Sequence, residues 1–275
     1  MSKSRGNRHR RGKPAVGDNA RETVENMDEQ NPVLLMFKEY SSQLDDKHDR
    51  YERIVKLSRD VNIEAKRIIF LLHNINTDIE AKKKAVIEEA DCRLQALVSN
   101  SFKAIARELK GQDGYQYHRA YSNGLQEFIE ALTFCQFLKD DSIEPWTAIN
   151  DSFKYHDDEH GGYQLLFPQY DFILGLADFT GELMRRCINT LGVGNVSECF
   201  KLCNFVKYIN AGFLGLMAPG NKELSRKAYV LRQSLAKMEL VCYNIQIRGS
   251  EIPKHMLISV IESTDVNAEE DEGYF

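Results

Sequence analysis

Two short segments place pairs of carboxylates where a helix would bring them onto one side. In GLQEFIEALTF, residues 124–134, Glu127 and Glu130 stand three apart, and in LADFTGELMRR, residues 176–186, Asp178 and Glu182 stand four apart. Both spacings give the two acids a common helix face. Apolar stripes lie roughly opposite: Leu125, Phe128, Ile129 and Leu132 in the first segment, Leu176, Leu183, Met184 and Cys187 in the second. If the two acidic faces met, four carboxylates would converge. Such a cluster repels itself unless it is protonated or neutralised by a cation, and oxygen donors suit a hard ion such as magnesium. Magnesium held by acids can polarise a phosphodiester oxygen, orient or deprotonate an attacking water and stabilise the leaving oxygen, which is the chemistry of a nuclease. The same spacing is also ordinary on a solvated helix face, so the pattern alone leaves both readings open.

Other motifs carry less. His156, Glu159 and His160 spell H-x-x-E-H, a zinc-peptidase spacing that requires both histidines on one rigid helix. Here the stretch is polar and runs into Gly161 and Gly162, so a surface loop is expected. Cys199 and Cys203 are four apart, but no second close pair of ligands accompanies them in the sequence, which favours buried thiols over a zinc site. His118 and Arg119, with Tyr115 and Tyr117 beside them, offer charge and stacking surface just before the first acidic pair. They suit either RNA contact or a plain helix surface. No Gly-rich phosphate loop or nucleophile elbow is present, which disfavours P-loop hydrolysis and serine-hydrolase chemistry.

Helices must position these residues. From Val33 to Lys110 there is neither Pro nor Gly, while Phe37, Tyr40, Leu44, Tyr51, Ile54, Leu57, Val61, Ala65, Ile68 and Leu72 recur at spacings of mostly three and four. The pattern predicts a very long amphipathic helix over 33–75, a second over 78–109 and a third over 115–139. A short helix should then end near Phe153, with Pro145 in its first turn and Ser142 before it as a cap. Residues 155–167 read as irregular. Helices over 169–191, 196–216 and 221–247 complete the body, with no convincing strand anywhere. The fold class is all-α, a bundle of about seven helices. Faces left over on the longest of them suit oligomerisation.

Composition sets the company such a body can keep. The chain has 275 residues, is 43% hydrophobic and has a net charge of -5. Residues 1–13 carry six of the 36 Lys and Arg and no acid, which leaves 30 basic against 41 acidic residues, or -11, in all that follows. A body this acidic does not attract nucleic acid through its overall field; it needs local patches, a bound cation or a basic partner. Residues 1–32 read as a disordered basic tail in which Arg8, Arg10, Arg11 and Lys13 form a candidate nuclear-import signal. Residues 33–261 form the helical domain and 262–275 an acidic tail. The six cysteines are scattered among apolar neighbours without a secretory leader, so reduced thiols in the cytoplasm and nucleus are expected. The longest apolar runs, Ile68 to Leu72 and Phe213 to Met217, fall far short of the ~20 residues of a membrane span, so the protein is expected to be soluble.

HDRYERIVKLSRD (48–60), KRIIFLLH (66–73), GLQEFIEA (124–131), ADFTGELMR (177–185), RKAYVLRQSLAKMELVCY (226–243) and RGSEIPKHML (248–257) occur in this order along the body. Together they resemble the translin family, in its factor X branch. The resemblance implies a seven-helix fold and a hetero-oligomer with translin. It also implies a magnesium-dependent endoribonuclease acting on small single-stranded RNA, with single-stranded DNA as an alternative ligand, that helps activate the RNA-silencing machinery by removing the passenger strand. The family's catalytic acids correspond to Glu127, Glu130, Asp178 and Glu182. On that reading Glu130 and Glu182 are direct magnesium ligands, while Glu127 and Asp178 act through water or position the nucleophile. Translin would supply much of the RNA-binding surface, in keeping with the acidic body. The short 155–167 connection departs from the family, which can carry a longer insertion there. The competing reading is a non-catalytic scaffold that stabilises translin and recruits RNA- or DNA-processing partners.

Overall fold

The computed structural model describes residues 30–75, 80–157, 161–192, 195–216 and 221–248. The basic cluster, the acidic tail, residues 249–257, Glu159 and His160 lie outside them. Among the described residues there are seven helices and one short hairpin. Helix α1 spans Pro32–His73; Asn31 Oδ1 accepts the Val33 N–H at 2.9 Å, ahead of a proline in the first turn. Helix α2 runs Glu80–Ala96, loosens into a π-helical stretch at Leu97–Phe102 and continues as Lys103–Glu108. Its backbone stays right-handed helical at both joints, so the two pieces form one helix carrying a π-bulge.

Helix α3, Gly114–Asp140, is set at both ends by side chemistry: Asp113 accepts the Tyr115 N–H at the start, and Asp141 turns left-handed at φ 59° to stop it. Helix α4 is Trp146–Ser152, α5 Gln169–Gly192, α6 Val196–Leu216 and α7 Lys222–Arg248. Asn221 caps α7 through the Leu224 N–H at 3.1 Å and also accepts the Tyr170 hydroxyl at 2.7 Å, tying α7 to α5.

Three expectations need correction. Ser142 does not cap α4: its N–H and hydroxyl both donate to Asp140 Oδ1, so it closes the end of α3. Pro145 lies one residue ahead of α4, at its N-cap. The stretch read as irregular contains an antiparallel hairpin, β1 Lys154–Asp157 with β2 Gly161–Gln164, in the register Tyr155 opposite Tyr163. Four-residue strands are too short to show a two-residue period. Their support is tertiary, since Asp157 takes Lys103 at 2.8 Å, Arg107 at 2.9 Å and the Tyr163 hydroxyl at 2.6 Å. His156 sits in β1, not on a helix, which removes the geometry that an H-x-x-E-H zinc site requires.

The chain divides into two compact units, residues 1–50 and 51–275. In the first, α1 exposes Val33, Leu35, Met36, Phe37, Tyr40 and Leu44. The second holds the core. Phe102 meets Phe128 and Phe153 edge to face with centroids 5.0 and 5.1 Å away, and Phe137 packs on Phe205 at 4.6 Å with Phe179 beside them. Aromatic pairs of this kind add to the area they bury and fix helix positions. All six cysteines are free thiols. The bundle brings Cys187 and Cys242 to Cys199: the Cys199 thiol donates to Cys187 O at 3.3 Å and the Cys242 thiol to Cys199 O at 3.7 Å. Burial pushes the Cys242 thiol up to about 12, as suits inert packing sulfur. No described helix is long and apolar enough to cross a membrane.

Candidate active site: an acidic cleft between two helices

Glycines decide how closely the acid-bearing helices approach. A Cβ on Gly175 of α5 would lie 2.8 Å from both Gln126 O and Ile129 Cβ of α3. A Cβ on Gly124 of α3 would lie 2.6 Å from Ser58 Oγ of α1. Only glycine tolerates these contacts, so the main chain of α3 comes close to that of α1 at Ser58 and that of α5 at Gly175. Gly175 lies one turn before Asp178, and Gln126 directly precedes Glu127. The close crossing therefore brings Glu127, Glu130 and Asp178 to one cleft of about 400 Å³, lined also by Asn123, Gly181 and Lys227, while Glu182 lies one helical turn beyond Asp178 and outside its lining.

The four acids do not share one environment. Glu127 Oε1 lies 3.4 Å from Lys66 Nζ of α1. Lys227 of α7 donates to Asp178 Oδ2, and at 3.4 Å to Gln126 Oε1. Glu182 Oε2 lies 2.5 Å from His73 Nε2 and 3.3 Å from Arg185 Nη1. Glu130 has no ion-pair partner among the described residues and is only 9% exposed. Of the two surroundings that the spacing left open, Glu130 has the enclosed one: α3 is covered on nearly every side, with Leu125, Phe128 and Ile129 at 0–1% exposure.

Desolvation, followed by the nearby Asp178, Glu127 and Glu182 charges, pushes the Glu130 carboxyl up to about 8, against a smaller opposing pull from Lys227. Burial raises Glu127 as well, opposed mainly by Lys66. Among the described residues no three His, Cys, Asp or Glu side chains stand close enough to close a metal cage. The physical reason is visible in the pairing: three of the carboxylates are each drawn to a cation on a neighbouring turn or helix. The donor set nonetheless fits a hard divalent cation, because it is all oxygen and its innermost carboxyl is destabilised by burial, with the neighbouring carboxylates adding to the effect.

The aromatic and basic group at the start of α3 is split. Tyr115 is 71% exposed and Arg119 is exposed, but Tyr117 is buried and offers no stacking face. His118 turns inward: its Nε2 lies 2.5 Å from Oδ2 of the fully buried Asp171. Oδ1 of Asp171 accepts Ser122 Oγ at 2.6 Å and Gln126 Nε2 at 3.0 Å. A hydrogen-bonded chain thus runs from His118 through Asp171 and Gln126 to Lys227 and the acidic cleft. His73, Asp171, Lys66 and Lys227 were not singled out from sequence. A lysine or histidine on a helix face has no local signal for the partner it meets, although Asp171 does sit in a first helical turn after Pro168, where an acid has a structural use.

Residues 49–249 match the model of the translin family. A relative named translin-associated protein X from Pongo abelii is 38% identical over 93% of this chain and 92% of its own length. Among solved structures, one titled crystal structure of apo-NeC3PO aligns with TM-score 0.58 and 20% identity, covering 76% of this chain and 95% of that one. A second, titled structure of AfC3PO–duplex RNA complex, aligns with TM-score 0.55 and 17% identity, covering 84% of this chain and 99% of that one. The two structures share the all-helical fold, while the sequence match runs through both acidic segments and the α1 and α7 residues that face them: the chain belongs to the translin family.

Proposed function

We propose that this chain is the catalytic subunit of a magnesium-dependent endoribonuclease, acting with translin on small single-stranded RNA and promoting silencing-complex activation by removing the passenger strand. The observation that carries the reading is the position of Glu130: a buried carboxyl, with no ion-pair partner among the described residues, close to the carboxylates of Glu127 on its own helix and of Asp178 and Glu182 on the helix packed against it. Burying such a group is costly unless a positive charge arrives to offset it. A relative named for its association with translin supports the partner, and a fold neighbour solved with duplex RNA supports the ligand class. Action in both cytoplasm and nucleus is part of the proposal.

Glu130 and Glu182, one from each helix, would hold magnesium, with Glu127 and Asp178 completing its surroundings. When bound, magnesium supplies charge stabilisation at the phosphodiester oxygens and a more acidic water. The protein's own groups do the rest. Lys227 and Lys66, each already against an acid of the cleft, offer positive charge to the phosphates. His73 fixes Glu182 by a hydrogen bond, and the packed glycine crossing holds the acids in register without a flexible loop.

The scaffold reading is favoured by the same ion pairs, since acids matched to lysine and histidine also serve a structural role. Cleavage of labelled single-stranded RNA by the complex with translin separates the two. Cutting that requires magnesium, stops in EDTA and falls at least ~100-fold in Glu130→Ala, with assembly intact, supports the enzyme. Normal cutting by the variant supports the scaffold.

A further inference from the structure

Helix α1 reaches the acidic site through Lys66 and His73. Lys66, Phe70 and His73 are spaced i, i+4, i+7 and so form one stripe. Lys66 touches Glu127 at 3.4 Å and His73 touches Glu182 at 2.5 Å, so the ends of the stripe are pinned to acids on two different helices. Phe70 lies between these contacts, ~6 Å along the axis from Lys66. Its ring is 72% exposed, whereas Ile68, Ile69 and Leu72 beside it are buried at 0–6%. The flanking Lys66 and Arg67 side chains are 61% and 68% exposed. An exposed aromatic with basic neighbours, on a helix stripe whose two ends touch acids of the candidate site, is the combination that single-stranded nucleic acid uses: a π face for a base and cations for its phosphates.

We propose that Phe70 is a stacking platform for a nucleobase adjoining the scissile phosphate, and that it makes the site select unpaired RNA. In a duplex each base face is already covered by its neighbours, so the ring offers nothing to a paired strand. In a single strand the base is free to leave its neighbours for the ring. The inference rests on the ribonuclease reading for its phosphodiester, and on the position and exposure of Phe70 for its base contact.

The test uses the full-length chain in complex with translin. Steady-state cleavage of a short single-stranded RNA is compared for wild type, Phe70→Ala and Phe70→Trp. Phe70→Ala is expected to raise KM ~10- to 100-fold with the effect falling on KM rather than kcat, and Phe70→Trp to restore it. An abasic scan in EDTA, read by fluorescence anisotropy, adds a measurement that does not need cleavage. Removing the base at one position should weaken wild-type binding ~10-fold or more and leave Phe70→Ala unaffected. Equal KM in wild type and Phe70→Ala overturns the proposal, as does an abasic profile that Phe70→Ala does not change. Loss of the complex's mass in Phe70→Ala also overturns it, because the ring would then be a subunit contact. If Glu130→Ala cuts normally but the abasic signature depends on Phe70, the ribonuclease reading fails while the stacking site stands.

Discussion

Glu130→Gln tests the electrostatics of the cleft most directly, because it keeps the shape of the buried side chain and removes its charge. A carboxyl displaced from its ordinary 4.5 to about 8 loses ~1.4 kcal/mol of ionised-form stability per tenfold change, so ~5 kcal/mol when fully ionised. Below 4.5 the folded and unfolded chains both carry the proton. Between 4.5 and about 8 the unfolded chain ionises first, so the folded state loses stability as pH rises through that window and loses no more above it. Relaxation and water entry in a real interior reduce the full figure to ~2–3 kcal/mol. At ~2–4 °C per kcal/mol for a chain of this size, Glu130→Gln should melt ~5–10 °C above wild type at pH 8.5 in EDTA. At pH 5 the gap should shrink to ~2 °C or less, because both carboxyl and amide are then uncharged. Magnesium at pH 8.5 should raise the wild type selectively and narrow the gap. Thermal unfolding followed by circular dichroism reads all three conditions. A melting difference that is the same at pH 5 and pH 8.5, or a variant less stable at both, would refute the argument that Glu130 is held at an electrostatic cost.

Gly175→Ala should cost ~1–3 kcal/mol in denaturant unfolding, since its new methyl would sit 2.8 Å from Gln126 O and Ile129 Cβ; because the helices that carry the acids would be pushed apart, cleavage should fall with it, and an unchanged midpoint would show that the crossing is not tight. Asp171→Ala removes the partner of His118, Ser122 and Gln126 from a fully buried position. It should destabilise the fold by ~2–4 kcal/mol, and a loss below ~0.5 kcal/mol would mean that water replaces the carboxylate without cost.

The extents of the long helices were legible because they follow from local chemistry. The run without Pro or Gly from Val33 to Lys110 and its three-and-four spacing give α1 within two residues at either end, Pro32–His73 against 33–75. The second helix, expected over 78–109, likewise ends within one residue of α2 at Glu108. The same reasoning paired Glu127 with Glu130 and Asp178 with Glu182, since a helix face is a property of spacing. It left the surroundings of Glu130 open, because spacing says which residues share a side but not what covers that side. The π-bulge at Leu97–Phe102 and the hairpin at Lys154–Gln164 left no periodic trace: both depend on partners far along the chain, such as Tyr155 donating to Val98 O at 2.9 Å and Asp157 gathering Lys103 and Arg107.

By itself the sequence determined the all-helical architecture, the positions of most helix ends and the two acidic pairs, because propensity, breakers and periodicity act over a few residues. Only the tertiary structure decided that Gly124 and Gly175 let three helices close on one another, and that Lys66, His73 and Lys227 each meet a different acid. It also decided that Glu130, alone among the four, is left buried without an ion-pair partner among the described residues. Those outcomes depend on desolvation and Coulomb energy, which are set by distances between residues up to about a hundred positions apart in the chain and not by any local pattern.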